Sequence, residues 1–204
     1  MDIQGLIVGL GNPGKEYEDT RHNFGFTAIH AMVELAERSG AMNRVSKQSD
    51  PFALWRCIFP GRGEWLLCTP LTYMNKSGDA VQRVAAYYRL EAEDILVIHD
   101  ELDLPLGRMK LKKGGGNAGH NGLKSIQQML GTPDFYRLRL GIGKSDRAAT
   151  VGHVLSRFSQ DEKKTANQVL EAAEQGILLY MSEGPAAALR FCNAFKLPEE
   201  NAPE

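Results

Sequence analysis

Short apolar runs alternate with segments of helical periodicity along this chain, and that alternation restricts the folds it can adopt. Residues 6–8 and 95–98 are continuous apolar runs of strand length, typical of strands buried on both faces of a sheet. Residues 23–38 and 78–89 repeat apolar side chains at the spacing of an amphipathic helix. The pattern predicts an α/β fold: a single three-layer α/β/α domain around a mixed, mostly parallel twisted sheet.

The remaining predicted elements complete this domain. Residues 52–59 and 65–69 are strand-like runs separated by Pro60-Gly61-Arg62-Gly63, which indicates a β-hairpin. The later elements are a strand at 108–113, a helix at 121–130, a strand at 136–142 and a long helix opened by the capping box Ser159-x-x-Glu162. We expect the domain to span residues 1–196 and the proline- and glutamate-containing tail 197–204 to be disordered.

Composition excludes several classes of protein. No apolar run approaches the ~20 residues of a membrane-spanning helix, so no membrane association is expected. The three cysteines are an odd number without metal-ligand spacing, which argues against a disulfide framework and against a zinc site. The opening residues Met1-Asp2-Ile3-Gln4-Gly5 lack the basic stretch of a secretory signal, so the predicted location is cytoplasmic.

Charge is distributed unevenly along the chain. The net charge is only −1, yet residues 108–147 hold nine basic side chains against two acidic ones, a local excess of seven. Such an excess favours a surface that binds an anionic partner, and a solvated basic face is the alternative.

Two glycine-rich segments imitate phosphate-binding loops. Gly9-Leu10-Gly11-Asn12-Pro13-Gly14 has dinucleotide-site spacing, but no helix is predicted to open at Gly14, and Glu16 stands where a P-loop needs Ser or Thr. A dinucleotide or nucleoside triphosphate site is therefore not expected. Gly114-Gly115-Gly116-Asn117-Ala118-Gly119 precedes a predicted helix, and it is either a flexible strand-to-helix loop or a loop that gates substrate.

The candidate catalytic residues are a histidine, an aspartate and several amides. The sequence contains no G-x-S-x-G nucleophile motif, no H-E-x-x-H zinc helix and no cysteine beside a histidine. The polar residues that remain in loops or at strand ends are His22, Asp100, Asn12, Asn75 and Asn121. Each of them alone also fits a structural role, as a packed histidine, a turn aspartate or a loop asparagine.

Read together, the motifs resemble those of a known family. They are Gly9-Leu10-Gly11-Asn12-Pro13-Gly14, Tyr17, Thr20-Arg21-His22-Asn23, Thr72-Tyr73-Met74-Asn75-Lys76-Ser77-Gly78, His99-Asp100-Glu101-Leu102-Asp103-Leu104-Pro105 and Gly119-His120-Asn121-Gly122-Leu123-Lys124. In this order they resemble the bacterial-type peptidyl-tRNA hydrolase family, and the likeness runs over residues 3–196.

The resemblance implies a hydrolase that needs no metal and no cofactor. It implies that His22 is the general base, that Asp100 orients it, and that Asn12 and Asn75 position substrate and water. The chemistry agrees with this assignment, because a ribosyl ester has a better leaving group than a peptide bond. A histidine with an ordinary pKa near ~6.5 can activate water for such an ester. An amide N–H of Asn12 or Asn75 would stabilise the oxyanion, and which of them does so is open.

The resemblance also implies how the substrate is held, with peptidyl-tRNA as partner and a monomeric enzyme. Tyr17 and Met74 would line the cleft for the 3′-CCA end or the peptide, and His120 and Asn121 would contact the same part of the substrate. Lys112 and Arg139 would clamp the 5′-phosphate of the acceptor stem. Lys110, Lys113 and Lys124 would add a positive field around that phosphate. Ordinary packing and a solvated basic face are the alternatives.

One segment departs from the family pattern, and two other functions compete. Asn117-Ala118 stands where a His-Gly pair is common, and alanine has less backbone freedom than glycine.

Plastid intron-splicing factors share the fold without the reaction, but the joint presence of His22, Asp100, Asn12 and Asn75 favours the enzyme. A general small-ester hydrolase is a more remote alternative and would not depend on RNA.

Overall fold

The computed structural model describes residues 3–144 and 150–197, and these residues form a three-layer fold. The seven strands of its single sheet lie in the order β2-β3-β4-β1-β5-β7-β6. Their bounds are β1 (Ile3–Gly9), β2 (Met42–Arg44), β3 (Phe52–Phe59), β4 (Gly63–Pro70), β5 (Ile95–Glu101), β6 (Met109–Lys113) and β7 (Tyr136–Gly141). The four inner strands β4, β1, β5 and β7 are parallel, whereas β2, β3 and β6 pair antiparallel at the edges.

Helices cover both faces of this sheet. They are α1 (Phe24–Arg38), α2 (Ser77–Tyr88), α3 (Asn121–Leu130), α4 (Thr150–Val154), α5 (Gln160–Glu183) and α6 (Pro185–Ala194). Buried side chains of α1, α5 and α6 pack with Ile98 and Leu138 on one face, and those of α2 and α3 pack with Val97 on the other. The predicted mixed α/β/α domain is confirmed, with its parallel part limited to the centre of the sheet.

The predicted elements are present, and three short or late ones were missed. The hairpin, the helix over 121–130 and the capping box at Ser159 and Glu162 all agree with the structure. Sequence reasoning overlooked β2, α4 and α6. A signal for α6 was available, because Pro185 follows Gly184 and proline is favoured at the first position of a helix.

Two glycines allow α1 to approach the sheet closely. A Cβ on Gly9 would lie 2.1 Å from the carbonyl oxygen of Gly25, and a Cβ on Gly25 would lie 2.4 Å from that of Ile98. The first turn of α1 therefore rests on the backbone of β1 and β5, which only glycine permits. This contact brings the residues just before α1 to the carboxyl ends of these strands.

Some expectations concern residues that lie outside the described part of the chain. Residues 198–204 of the tail that we expect to be disordered are outside it, and only Leu197 of that tail is described. Asp146 and Arg147 of the basic stretch are also outside it. The domain limits 1–196 stay a prediction. Among the described residues no helix is both long and apolar enough to cross a membrane.

Candidate active site

His22 lies in a 3₁₀ turn, Arg21–Asn23, immediately before α1. Arg21 anchors this turn, because its Nη2 lies 2.7 Å from both carboxylate oxygens of Glu162. Its Nη1 donates to Ser156 Oγ at 2.6 Å and to the carbonyl of Arg157 at 2.7 Å. The turn is thus held by the beginning of α5 and the segment before it.

Asp100 lies near the end of β5, where both helical layers reach it. His22 Nδ1 is 2.9 Å from each carboxylate oxygen, and His120 Nε2 is 2.9 Å from Oδ1. Burial by itself would raise the pKa of Asp100, but His120 and His22 hold that pKa well below its usual value. Asp100 is therefore a carboxylate that accepts hydrogen bonds from one histidine of each layer.

The hydrogen bonds of His120 define which ring nitrogen carries the proton. His120 caps α3, and its Nδ1 accepts from the backbone N–H groups of Gly122 at 3.2 Å and Leu123 at 3.5 Å. Its Nε2 must then carry the hydrogen that is donated to Asp100. Because the ionised Asp100 can only accept, His22 donates to it from Nδ1, and in the neutral ring Nε2 is then a lone-pair acceptor.

A cavity of about 220 Å³ opens beside these groups. His22, Asp100 and His120 line it together with Asn121, the first residue of α3, and with the loop residues Asn117, Ala118 and Gly119. An imidazole beside a cavity, oriented by a buried carboxylate, can in its unprotonated form take a proton from a bound water molecule.

His99 is a buried histidine beside these groups, but it is not placed for proton transfer. Its Nδ1 donates to the carbonyl of Asp100 at 2.6 Å, and its ring lies edge-on to that of His120, with centroids 5.0 Å apart. Burial, followed by the influence of His120, lowers the pKa of His99 well below its usual value. It is thus a neutral packing partner of His120.

Asn12 joins three loops at the carboxyl ends of β1 and β4. Its backbone N–H donates to Asn23 Oδ1 at 2.8 Å, and its carbonyl accepts from Asn23 Nδ2 at 3.0 Å. Its side-chain oxygen accepts the N–H of Met74 at 2.7 Å, which leaves its Nδ2 as the donor. Asn12 lines a second cavity of about 510 Å³, whose walls include His30, Arg44 and Trp55.

The other predicted substrate contacts are distributed around this edge of the sheet. Met74 is buried against α3, where Gly122 leaves room for its sulfur. Asn75 is exposed in the 3₁₀ turn Met74–Lys76, and Tyr17 is half-buried in the turn Lys15–Tyr17. Neither residue lines the two cavities. Among the described residues, no hydrogen bond joins Asn12 or Asn75 to His22, Asp100 or His120.

Lys110, Lys112 and Arg139 share one face of the paired strands β6 and β7. Lys110 is opposite Arg139 in the register, and Lys112 is opposite Arg137. Arg139 Nε donates to Glu101 Oε2 at 2.8 Å. Burial lowers the pKa of Lys112, and the neighbouring Arg139 and Arg137 lower it further. The strands therefore bring these cations together, as the sequence predicted they could.

Three of the side chains could ligate a metal ion. One ligand atom each from His22, Asp100 and His120 all lie within 4.8 Å of one another. Sequence spacing does not indicate this cluster, because Asp100 is 78 residues from His22 and 20 from His120. His22 Nδ1 and His120 Nε2 already donate to Asp100, so an ion held through these two nitrogens would displace two hydrogen bonds. The absence of a metal requirement stays a prediction.

The comparison with known proteins decides the family. The family model described as peptidyl-tRNA hydrolase matches residues 6–200. The chain belongs to the peptidyl-tRNA hydrolase family. A peptidyl-tRNA hydrolase of Nitratidesulfovibrio vulgaris (strain DSM 19637 / Miyazaki F) is 55% identical over 200 residues, covering 96% of this chain and 99% of that protein. The crystal structure of the Acinetobacter baumannii peptidyl-tRNA hydrolase has a TM-score of 0.86 at 34% identity, covering 96% and 98% of the two chains.

Family membership establishes the reaction of this peptidyl-tRNA hydrolase. Relatives such as the peptidyl-tRNA hydrolase of Oleidesulfovibrio alaskensis (strain ATCC BAA-1058 / DSM 17464 / G20), 51% identical over 95% of this chain and 98% of that protein, carry the same name. The chain is an enzyme that hydrolyses peptidyl-tRNA. The resemblance seen in the sequence motifs is confirmed.

Sequence reasoning overlooked three residues that support the site of this peptidyl-tRNA hydrolase. Arg21 anchors the turn of His22, Asn23 holds the backbone of Asn12, and Arg137 lies buried beneath the loop before α3. Arg21 and Asn23 lie within the motif Thr20-Arg21-His22-Asn23, so their position next to His22 was the available signal. Arg137 was counted only as part of the basic stretch, because its burial depends on how the strands pair.

Proposed function

We propose that His22 is the general base of this peptidyl-tRNA hydrolase and that Asp100 orients it. The observation that carries the proposal is the bond from His22 Nδ1 to Asp100, 2.9 Å to each oxygen, which leaves Nε2 as the acceptor beside the cavity. Asp100 is buried and ionised, so it favours the positive charge that His22 acquires when it takes a proton.

The reaction then proceeds with water as the nucleophile. His22 Nε2 removes a proton from water while the water oxygen attacks the ester carbonyl that joins the peptide to the 3′-terminal ribose. Collapse of the tetrahedral intermediate breaks the carbonyl–ribose oxygen bond, and protonated His22 returns the proton to that oxygen. The products are a peptide with a free carboxyl group and a tRNA with its 3′-ribose hydroxyl restored.

Amide side chains position the ester and the water. The side-chain oxygen of Asn12 accepts a hydrogen bond from the Met74 N–H. The Nδ2 of Asn12 is therefore the group that can donate to an ester carbonyl or oxyanion. Asn75 is the next residue along the same turn and is exposed to an incoming substrate. Tyr17, Met74, His120 and Asn121 contact the 3′-CCA end or the peptide.

The basic face of β6 and β7 binds the acceptor stem. Lys112 and Arg139 hold the 5′-phosphate, and Lys110, opposite Arg139, adds to the positive field. The lowered pKa of Lys112 supports this assignment. Burial and the nearby Arg139 and Arg137 disfavour the charged form of Lys112, and a bound phosphate would stabilise that form. The enzyme acts as a monomer in the cytoplasm, where ribosomes produce its substrate.

Peptide release from N-blocked aminoacyl-tRNA by His22→Ala tests the catalytic assignment. Turnover should fall about 10²-fold or more, the scale of a lost general base, while tRNA binding is kept. His153→Ala is the matched histidine control, because His153 bonds the carbonyl of Ile142 and not Asp100. Near-normal turnover in a folded His22→Ala protein would remove the mechanism.

A further inference from the structure

Arg137 is a buried cation with no negative partner in the part of the chain that the structure describes. Its side chain is 0% exposed, and among the described residues no carboxylate contacts it. Its Nη1 donates to the carbonyl of Gly116 at 2.9 Å and to Asn117 Oδ1 at 3.2 Å. The guanidinium carbon lies 4.5 Å from the centre of the Phe135 ring, and Nε is buried without a hydrogen-bond partner. A buried charge that is not neutralised destabilises a fold, so the position of Arg137 lowers the stability of this part of the protein.

The glycine loop, residues 114–119, lies between this buried cation and the catalytic cavity. On one side the loop contacts Lys112 and Arg137. A Cβ built on Gly115 would lie 3.0 Å from Lys112 Nζ, and the Arg137 side chain donates hydrogen bonds to Gly116 and Asn117. On the other side Asn117, Ala118 and Gly119 line the cavity of His22 and Asp100. The loop is thus in contact with both the phosphate-binding face and the reaction centre.

A continuous chain of hydrogen bonds runs through Asn117. Its Oδ1 accepts from Arg137, and its Nδ2 donates to Gln127 Oε1 at 2.8 Å. Its carbonyl accepts the N–H of His120 at 2.8 Å, and His120 in turn donates to Asp100. The position of Asn117 therefore affects the histidine that holds the catalytic carboxylate.

The glycine loop is also strained at the residue that faces the cavity. Ala118 has a φ of 46°, in the left-handed region. This conformation costs a residue with a Cβ roughly 1–2 kcal/mol, so other contacts must hold the loop in place. Arg137 and Gln127 provide such contacts on either side of Asn117.

We infer that Arg137 and Asn117 are positioning residues that couple phosphate binding at Lys112 and Arg139 to the reaction centre. The inference rests on the proposed function, which places the 5′-phosphate at Lys112 and Arg139. Without a bound phosphate, Lys112, Arg139 and Arg137 repel one another beneath the glycine loop, and the Glu101 carboxylate that pairs with Arg139 offsets only part of that repulsion. A phosphate removes that repulsion and so stabilises the loop, and with it His120 and Asp100. Because coupling is reciprocal, an ordered loop also strengthens phosphate binding.

Amide hydrogen exchange measures the coupling directly. The probes are two acceptor-stem RNA duplexes that differ only in a 5′-phosphate or a 5′-hydroxyl. With the wild-type enzyme, the phosphate should slow exchange of the Ala118 and Gly119 amides about 5-fold or more beyond the effect of the hydroxyl duplex. Asn117→Ala should abolish that difference. Gln128→Ala, an exposed neighbour of Gln127 on α3, is the matched control and should behave as wild type.

Turnover gives a second readout that a purely structural role would not move. On substrate with a 5′-phosphate, Asn117→Ala should lower kcat about 5-fold and, because the coupling is reciprocal, should also raise KM even though Lys112 and Arg139 remain in place. On substrate without the phosphate, the loss of kcat in Asn117→Ala should be smaller, because no phosphate acts through the glycine loop there. Arg137→Met removes the donors that bind Gly116 and Asn117, so it should reproduce Asn117→Ala if it folds.

Lys112→Ala separates failure of this inference from failure of the proposed function. If Lys112→Ala raises KM only for phosphorylated substrate, yet the phosphate leaves loop exchange unchanged in wild type, the coupling is refuted and the phosphate site stands. If Lys112→Ala leaves KM unchanged for both substrates, the phosphate site itself is wrong. Equal loss of kcat in Asn117→Ala on both substrates would also overturn the coupling.

Discussion

Arg21 and Glu162 join the turn that carries His22 to the first turn of α5, with Arg21 Nη2 lying 2.7 Å from both carboxylate oxygens. Glu162 is also the third helical residue of the capping box opened by Ser159. One carboxylate thus starts the longest described helix and holds the proposed general base in position. The two residues are 141 positions apart, so this link depends entirely on the fold.

Glu162→Gln should weaken both stability and catalysis. It replaces the ion pair with a bond from the Arg21 cation to a neutral amide and so leaves Arg21 buried without its counter-charge, which should cost about 1–3 kcal/mol of unfolding free energy. Because the His22 turn loosens, kcat should fall by about 10-fold, less than the ~10² of a full 1 Å misplacement. Urea unfolding and peptide release measure the two effects. Glu171→Gln, exposed on the same helix, is the control, and equal behaviour of the two variants would refute the role.

Asp100→Asn should lower turnover by about 10²-fold or more. A neutral amide cannot support the positive charge that develops on His22 when it takes a proton. The measurement is kcat for N-blocked aminoacyl-tRNA across the pH range in which the protein is folded. An unchanged rate and pH profile would reduce Asp100 to a structural residue.

Asp100 should also affect stability in acid. Its pKa in the folded state lies below the usual value, so its ionised form stabilises the fold at any pH above the unfolded pKa of about 3.9. This contribution is lost as the pH falls below about 4 towards the folded pKa. The stability of Asp100→Asn should therefore fall less steeply in that acid range, as measured by unfolding at a series of pH values. A slope equal to that of wild type would contradict the depressed pKa.

Arg139→Ala should raise KM for 5′-phosphorylated tRNA by about 10-fold while turnover changes little. The phosphate is remote from the ester, so its contacts should contribute to binding more than to the chemical step. A double cycle that combines Arg139→Ala with removal of the 5′-phosphate isolates their contact. Arg190→Ala is the control, because Arg190 lies exposed on α6, which packs on the other face of the sheet. Additive losses would show that Arg139 and the phosphate do not meet.

A metal chelator should leave activity intact. Although His22, Asp100 and His120 bring three ligand atoms within 4.8 Å, one ring nitrogen of each histidine is engaged as a donor to Asp100. Water activation by His22 needs no metal ion. Peptide release is measured before and after dialysis against the chelator, and a loss that one specific ion restores would contradict the mechanism.

Local sequence determined the elements of this protein and the candidate residues within them. The helix over 121–130, the hairpin with its Pro60-Gly63 turn and the capping box of Ser159 and Glu162 follow from backbone preferences and side-chain periodicity over a few neighbouring residues. The motifs around His22 and Asp100 identified the family. A three-residue edge strand such as β2 carries too little pattern to be found in this way.

Tertiary structure alone decided which of these residues meet. Asp100 receives His22 from one helical layer and His120 from the other, because β5 ends between the two layers. Asn12 opens instead to a second cavity, and the pairing of β6 with β7 buries Arg137 beneath the glycine loop. Such convergence depends on strand order and on which face each helix covers. Those properties arise from contacts between residues far apart in the chain, and no local preference encodes them.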